Sequence, residues 1–253
     1  MSRASTLTVF AAMNRKACGK GALVFRRDGD AYSLSNEVLS VHGEMCGKRL
    51  AQSVKLSGRD CGSLDIMLKV ADGAGGWCWP GVKSLCSIDY RETGGAGVLD
   101  LVGEWWQVVG RWSIPGIAFR VHVRLTVCPG EPAFLCELVD IANSGTKELD
   151  VARAFISVMP PKGVKPTCVK KATDAENSAA WDAGDGFAIG LQSEDEDVQR
   201  LSFWVDAKSQ CPHADCGFSM PGGKDLVLRP GCSAKLMRSM SAIVFLLRDG
   251  THG

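Results

Sequence analysis

Three side chains able to handle protons or anions stand two apart in one short stretch: Arg120, His122 and Arg124, within Phe119-Arg-Val-His-Val-Arg-Leu-Thr-Val127. Successive side chains of a strand point to opposite faces. This spacing therefore gathers the three on one face and sends Phe119, Val121, Val123, Leu125 and Val127 to the other. An imidazole exchanges protons near neutral pH, and a guanidinium fork matches a carboxylate. Such a face could hold a sugar or a uronate. It reads equally well as a solvated sheet surface neutralised by carboxylates on neighbouring strands, with Glu104 and Asp140 as the candidates.

Seven tryptophans offer stacking platforms for the C–H faces of sugar rings. Adjacent residues of a strand face opposite ways, so of Trp105 and Trp106 one belongs to the core. Trp106, near Glu104 and Arg111, is kept as a ligand contact, and Arg111 with it. Trp181, beside Asp182 and Asp185 in a polar segment, is the best exposed candidate. Cys211-Pro-His-Ala-Asp-Cys216 brings two thiols and the His213 imidazole together, one ligand short of a structural zinc set and without a second pair at matching spacing. No metal site is expected, and His213 is retained as a polar ligand contact. No nucleophile elbow, phosphate loop or nucleic-acid motif occurs, and no cofactor is implied.

Long strands must position these residues. Pro129-Gly-Glu-Pro132 turns the basic strand into Ala133 to Ile141, apolar on both faces apart from Glu137 and Asp140. Asn143-Ser-Gly-Thr-Lys147 turns again into Leu149 to Val158. Two consecutive hairpins, one strand half-polar and the next nearly buried, predict the middle of an antiparallel sandwich. Upstream, 31–36, 37–42 and 49–56 read as strands, 57–97 as a glycine-rich loop carrying Trp77 and Trp79, and 98–112 as strands again. Downstream, a short helix is expected around 174–180. A hairpin of Phe187–Leu191 and Leu201–Val205 follows across an acidic turn, and a last strand ends near Leu247.

A net charge of +1 gives no bulk attraction to nucleic acid or acidic lipid, and no run of about 18 apolar residues exists to span a membrane. Eleven cysteines are scattered singly, several among apolar strand residues, which suggests thiols in a reduced compartment. Leu7 to Met13 is weak for a secretory h-region, so a cytoplasmic location is expected.

Four stretches, in order, resemble the galactose mutarotase (aldose 1-epimerase) superfamily. Ser35-Asn36 to Ser57-Gly58, with its Gly47-Lys-Arg-Leu50 turn, resembles the family's opening hairpin. Glu137-Leu-Val-Asp-Ile-Ala-Asn143-Ser-Gly145 resembles its central strand ending in Asn-Thr-Gly. Phe203-Trp-Val-Asp206, followed by Pro212-His-Ala-Asp215, resembles the strand of the catalytic glutamate, and Leu228-Arg-Pro-Gly231 the turn into the last strand. The resemblance implies an all-β antiparallel supersandwich, with residues 31–253 as one domain and 1–30 as an arm or edge strand. It also implies a carbohydrate or uronic-acid ligand on a concave sheet face. The family's general-acid histidine has no counterpart in Ala154-Phe-Ile-Ser-Val-Met-Pro160, and its other histidine none in Val102-Gly-Glu-Trp-Trp106. Ring opening moves one proton on and another off, so an enzyme of this type would need a rewired pair, His122 as acid and Asp206 as base. The contrasting expectation is a non-catalytic β-sandwich that serves as a structural or protein-interaction module.

Overall fold

A strand with one apolar face needs a second apolar face to cover it, and here two antiparallel sheets cover each other. The computed structural model describes residues 21–71, 76–109, 112–161, 168–169, 178–184, 187–193, 199–205, 212–218, 226–236 and 241–248. Its strands in chain order are β1 Val24–Asp28, β2 Ala31–Ser35, β3 Leu39–Cys46, β4 Arg49–Leu56, β5 Arg59–Ala71, β6 Trp77–Cys78, β7 Gly81–Thr93, β8 Ala96–Val109, β9 Trp112–Val127 and β10 Ala133–Asn143. They continue as β11 Leu149–Met159, β12 Cys168–Val169, β13 Ser178–Gly184, β14 Phe187–Ser193, β15 Gln199–Val205, β16 Pro212–Phe218, β17 Leu226–Leu228, β18 Ser233–Lys235 and β19 Ser241–Arg248. No helix occurs among the described residues.

One sheet has ten strands, along the order β1-β2-β3-β4-β5-β11-β16-β15, with β17 on β11 and β6 on β5. The other has nine, in the order β12-β13-β14-β19-β10-β9-β8-β7, with β18 on β10. Both join early and late chain at their centres: Met67 of β5 faces Phe155 of β11, and Leu135 of β10 faces Ile243 of β19. At one side the edge strands of the two sheets close on each other. Phe25 of β1 stacks on Tyr90 of β7 with centroids 4.7 Å apart, and Arg27 Nη1 donates to the Ile88 carbonyl at 3.1 Å.

β9 shows the alternation that its sequence carries. Ile117, Phe119, Val121, Val123, Leu125 and Val127 are buried in the core, while Arg120 is exposed and His122, Arg124 and Thr126 are half-buried on the outer face. Each fully buried side chain of this size contributes roughly 1.5–3 kcal/mol. β10 holds an irregularity that matters for the site. Glu137 and Asp140 are three apart and would point to opposite faces of a regular strand. A register shift between Leu138 and Asp140 turns both Leu138 and Val139 into buried positions and re-aims Asp140 outward, opposite His122. The Val139 carbonyl, displaced from the ladder, accepts from the Leu236 amide at 2.8 Å.

The Asn143-Ser-Gly145 turn is a knot of backbone contacts. Asn143 Nδ2 donates to the carbonyls of Lys147 and Leu228, both at 2.8 Å, while its Oδ1 accepts from the Gly145 amide at 2.9 Å. A Cβ on Gly145 would sit 2.3 Å from the Gly116 carbonyl oxygen, so only glycine fits there.

Three expectations are corrected. Most of 57–97 is strand and not loop: β5 and β7 each run 13 residues, and glycines do not interrupt the buried alternation of Leu64, Ile66, Leu68 and Val70, while residues 72–75 lie outside the described residues. Ser178–Gly184 is a strand, so no helix extends over 178–180; residues 174–177 lie outside the described residues. Cys128 is disulfide-bonded, a departure from the expected reduced thiols, while Cys46, Cys61, Cys78, Cys86, Cys136 and Cys232 are thiols.

Candidate functional site

On the outer face of the nine-stranded sheet, β7 to β10 carry the polar strip that begins with His122 and Arg124. Its centre is Asp100 of β8, a residue that sequence reasoning missed. Asp100 Oδ1 lies 2.8 Å from His122 Nε2 and accepts from Arg124 Nε at 2.8 Å, and its Oδ2 accepts from Arg91 Nη1. His122 Nδ1 faces Asp140 Oδ2 at 3.3 Å. Burial opposes ionisation of Asp100, but the donors Arg124, Arg91 and His122 outweigh it and hold its pKa down to about 2. Further along, Arg120 stands in register with Glu104, which pairs with Lys83 at 3.5 Å. Arg91, Asp100 and Arg124 thus pair opposite charges across three strands, and both ring nitrogens of His122 face carboxylates, that of Asp140 on the fourth.

The remaining expected residues fall elsewhere. Trp106 lies on the same outer face, with Lys83 Nζ 5.7 Å from its ring centroid, and its buried Nε1 has no acceptor among the described residues. Asp206 and Arg111 lie outside the described residues. β15 stops at Val205 in the ten-stranded sheet, whereas His122 is on β9 of the nine-stranded one, so the chain leading to Asp206 is not a neighbour of His122's strand. His213 of β16 is in register with Trp204, also in the ten-stranded sheet, and Trp181 of β13 is in register with Cys168 and Ile189. Among the described residues no group of three or more His, Cys, Asp or Glu is placed to hold a metal.

A second region has a different character. Where the chain crosses from β6 in one sheet to β7 in the other, it leaves a cleft of about 330 Å³. The Val82 amide donates to the Lys48 carbonyl at 2.9 Å, which pins the crossing segment to the β3–β4 turn. Leu50, Ile66, Leu68, Val82 and Trp105 give the cleft an apolar floor, and Lys48, Arg49 and Asp65 give it a charged rim. Arg49 Nη2 and Asp65 Oδ2 are 2.8 Å apart. Trp79 stands at this cleft with 48% of its surface exposed and its ring 6.3 Å from that of Phe155. Trp77, 42% exposed, lies nearby with Lys69 Nζ 5.8 Å from its ring centroid. Large apolar groups exposed beside a concavity are the usual mark of a binding surface. The signal in the sequence was the Trp77-Cys-Trp79-Pro80 run inside a glycine-rich segment.

No protein-family model matches the chain, and no curated protein matches it. Solved structures do. The chain is similar in fold to the Slr1438 protein of Synechocystis sp. PCC 6803, at 11% identity over 91% of this chain and 97% of that one, with a TM-score of 0.49. It is similar to a galactose mutarotase related enzyme of Lactobacillus acidophilus, at 9% identity over 85% and 97%, with a TM-score of 0.45. A GH36 alpha-galactosidase of Geobacillus stearothermophilus matches at 12% identity over 90% of this chain and 41% of its own, with a TM-score of 0.47. A likeness at such low identity assigns no role to any side chain; those roles follow from the distances and exposures of this chain's own residues.

Proposed function

We propose that the protein recognises a carbohydrate in the cleft beside Trp79. The indole serves as the platform under a sugar ring, and the Arg49–Asp65 pair reads the ring hydroxyls, one partner donating and the other accepting. The observation that carries this reading is a half-exposed indole at the mouth of an apolar-floored cleft whose rim holds a polar pair. Covering about 60 Å² of that indole would contribute roughly 1.5 kcal/mol, close to tenfold in affinity. His122 has no part in this recognition: its ring nitrogens face Asp100 and Asp140, which favours binding over acid–base chemistry at the polar strip.

Calorimetric titration of a panel of neutral sugars and uronic acids against the wild type, Trp79→Ala and His122→Ala tests the proposal. Binding should be weakened at least about tenfold in Trp79→Ala and unchanged in His122→Ala. Loss of binding in His122→Ala with retention in Trp79→Ala would move the site to the polar strip. A panel in which nothing binds the wild type would remove the carbohydrate reading and leave a protein-interaction module as the alternative.

A further inference from the structure

We infer that the ligand of the cleft is an acidic saccharide chain rather than a single neutral sugar, running from the cleft past Trp79 to Trp77, with its carboxylates on the lysine and arginine side chains alongside. The inference rests on the carbohydrate reading above and deepens it.

Charge is the first support. Among the described residues that line the cleft or touch the two indoles, Lys48, Arg49 and Lys69 are cations and Asp65 is the sole carboxylate. Arg153, exposed on β11, is the register partner of Lys69 and sets a fourth cation beside it. A neutral sugar would make no use of this excess positive charge, whereas a uronate offers Arg49 a planar carboxylate matched to its fork. Asp65 then accepts from hydroxyls that Arg49 no longer contacts.

Spacing is the second support. Trp77 and Trp79 are two residues apart on chain that is extended at Trp77–Cys78, so their backbones lie roughly 6–7 Å apart and both side chains leave the same side. That separation suits neighbouring rings of a pyranose chain. Lys69 stands over the Trp77 ring and Phe155 beside the Trp79 ring, both on the outer face of the ten-stranded sheet, so the two platforms form one surface. One sugar fills the cleft; a second platform has a use only if the ligand continues.

The test uses tetragalacturonate, its fully methyl-esterified form and monomeric galacturonate, titrated by tryptophan fluorescence and calorimetry at low and high salt. The wild type, Trp77→Ala and Lys69→Ala serve as proteins, and near-UV circular dichroism checks that these surface variants fold as the wild type does. The acidic tetramer should bind about tenfold more tightly than its ester, and that preference should shrink as salt screens the exposed cations. Trp77→Ala should weaken the tetramer and leave the monomer unchanged, and Lys69→Ala should reduce the preference over the ester. Equal binding of ester and acid, or equal effects of Trp77→Ala on tetramer and monomer, would overturn the inference while leaving carbohydrate recognition standing. Failure of the galacturonates while a neutral sugar still binds would overturn it in the same way. Failure of every saccharide would remove both.

Discussion

The polar strip around Asp100 and the cleft beside Trp79 use similar side chains to opposite ends. In the strip a carboxylate 8% exposed collects three donors, two of them guanidinium groups on the strands to either side. In the cleft the ion pair lies on the rim, with Arg49's side chain 70% exposed, and two indoles present their rings to solvent. Charges that are matched within the fold hold the fold; apolar surface left uncovered is available to something else. A histidine flanked by arginines is therefore a weaker sign of a site than a tryptophan that folding has not buried.

Removing the centre of the strip should separate the two regions most strongly. Asp100→Ala leaves Arg124, Arg91 and His122 without their common acceptor, and should destabilise the protein by about 3 kcal/mol. A lower urea midpoint at unchanged slope is the expected result, with saccharide binding intact once the protein is folded. A loss below about 1 kcal/mol would mean that the strip is not structural.

Acid should act through the same residue. The Asp100 carboxyl sits at about 2 in the folded chain, below the ordinary 3.8. A depressed carboxylate contributes stability that is fully present above its unfolded value. That stability is lost as pH falls through about 4 toward 2, and amounts to something on the order of 2 kcal/mol. Unfolding free energies measured from pH 6 to pH 2 should fall over that window, and the fall should be shallower in Asp100→Asn.

The cleft should respond in the opposite sense. Arg49→Ala breaks an exposed pair and should change stability by less than about 1 kcal/mol while weakening a uronate ligand severalfold. Trp79→Ala should cost about 1.5 kcal/mol in the same urea experiment, roughly half the loss expected for Asp100→Ala, because only half of the indole is covered. A large stability loss in Trp79→Ala would make the indole a packing residue and erase the contrast.

The sequence made the alternating strands legible and the crossings between them illegible. β9 could be read residue by residue because a period of two separates core from surface directly. β5 and β7 were hidden by flanking glycines, although Leu64, Ile66, Leu68 and Val70 keep that period. Asp140 was named as a partner for the basic strand, and the odd spacing from Glu137 was the trace of the bulge that makes the pairing work. Asp100 was visible only as a lone charge within Val98-Leu-Asp-Leu-Val102, opposite Arg124 once the hairpin register is known. The cleft left one local trace, the Trp77-Cys-Trp79-Pro80 run, and no pattern for the rest of its lining. Lys48, Asp65, Trp79 and Trp105 come from four separate segments, and only the β6–β7 crossing brings them together.

The pairing of β5 with β11 has a consequence for how the chain is made. Residues 59–71 find their second partner in residues 149–159, so during synthesis one edge of β5 stays unpaired while about eighty further residues are added. β10 waits in the same way for β19, at the other end of the described chain. A protein assembled from such distant contacts closes slowly, on the millisecond-to-second scale of sheet-rich domains. Until it closes, a nascent chain exposes an apolar, hydrogen-bond-ready edge that a chaperone, or another copy of itself, is equipped to meet.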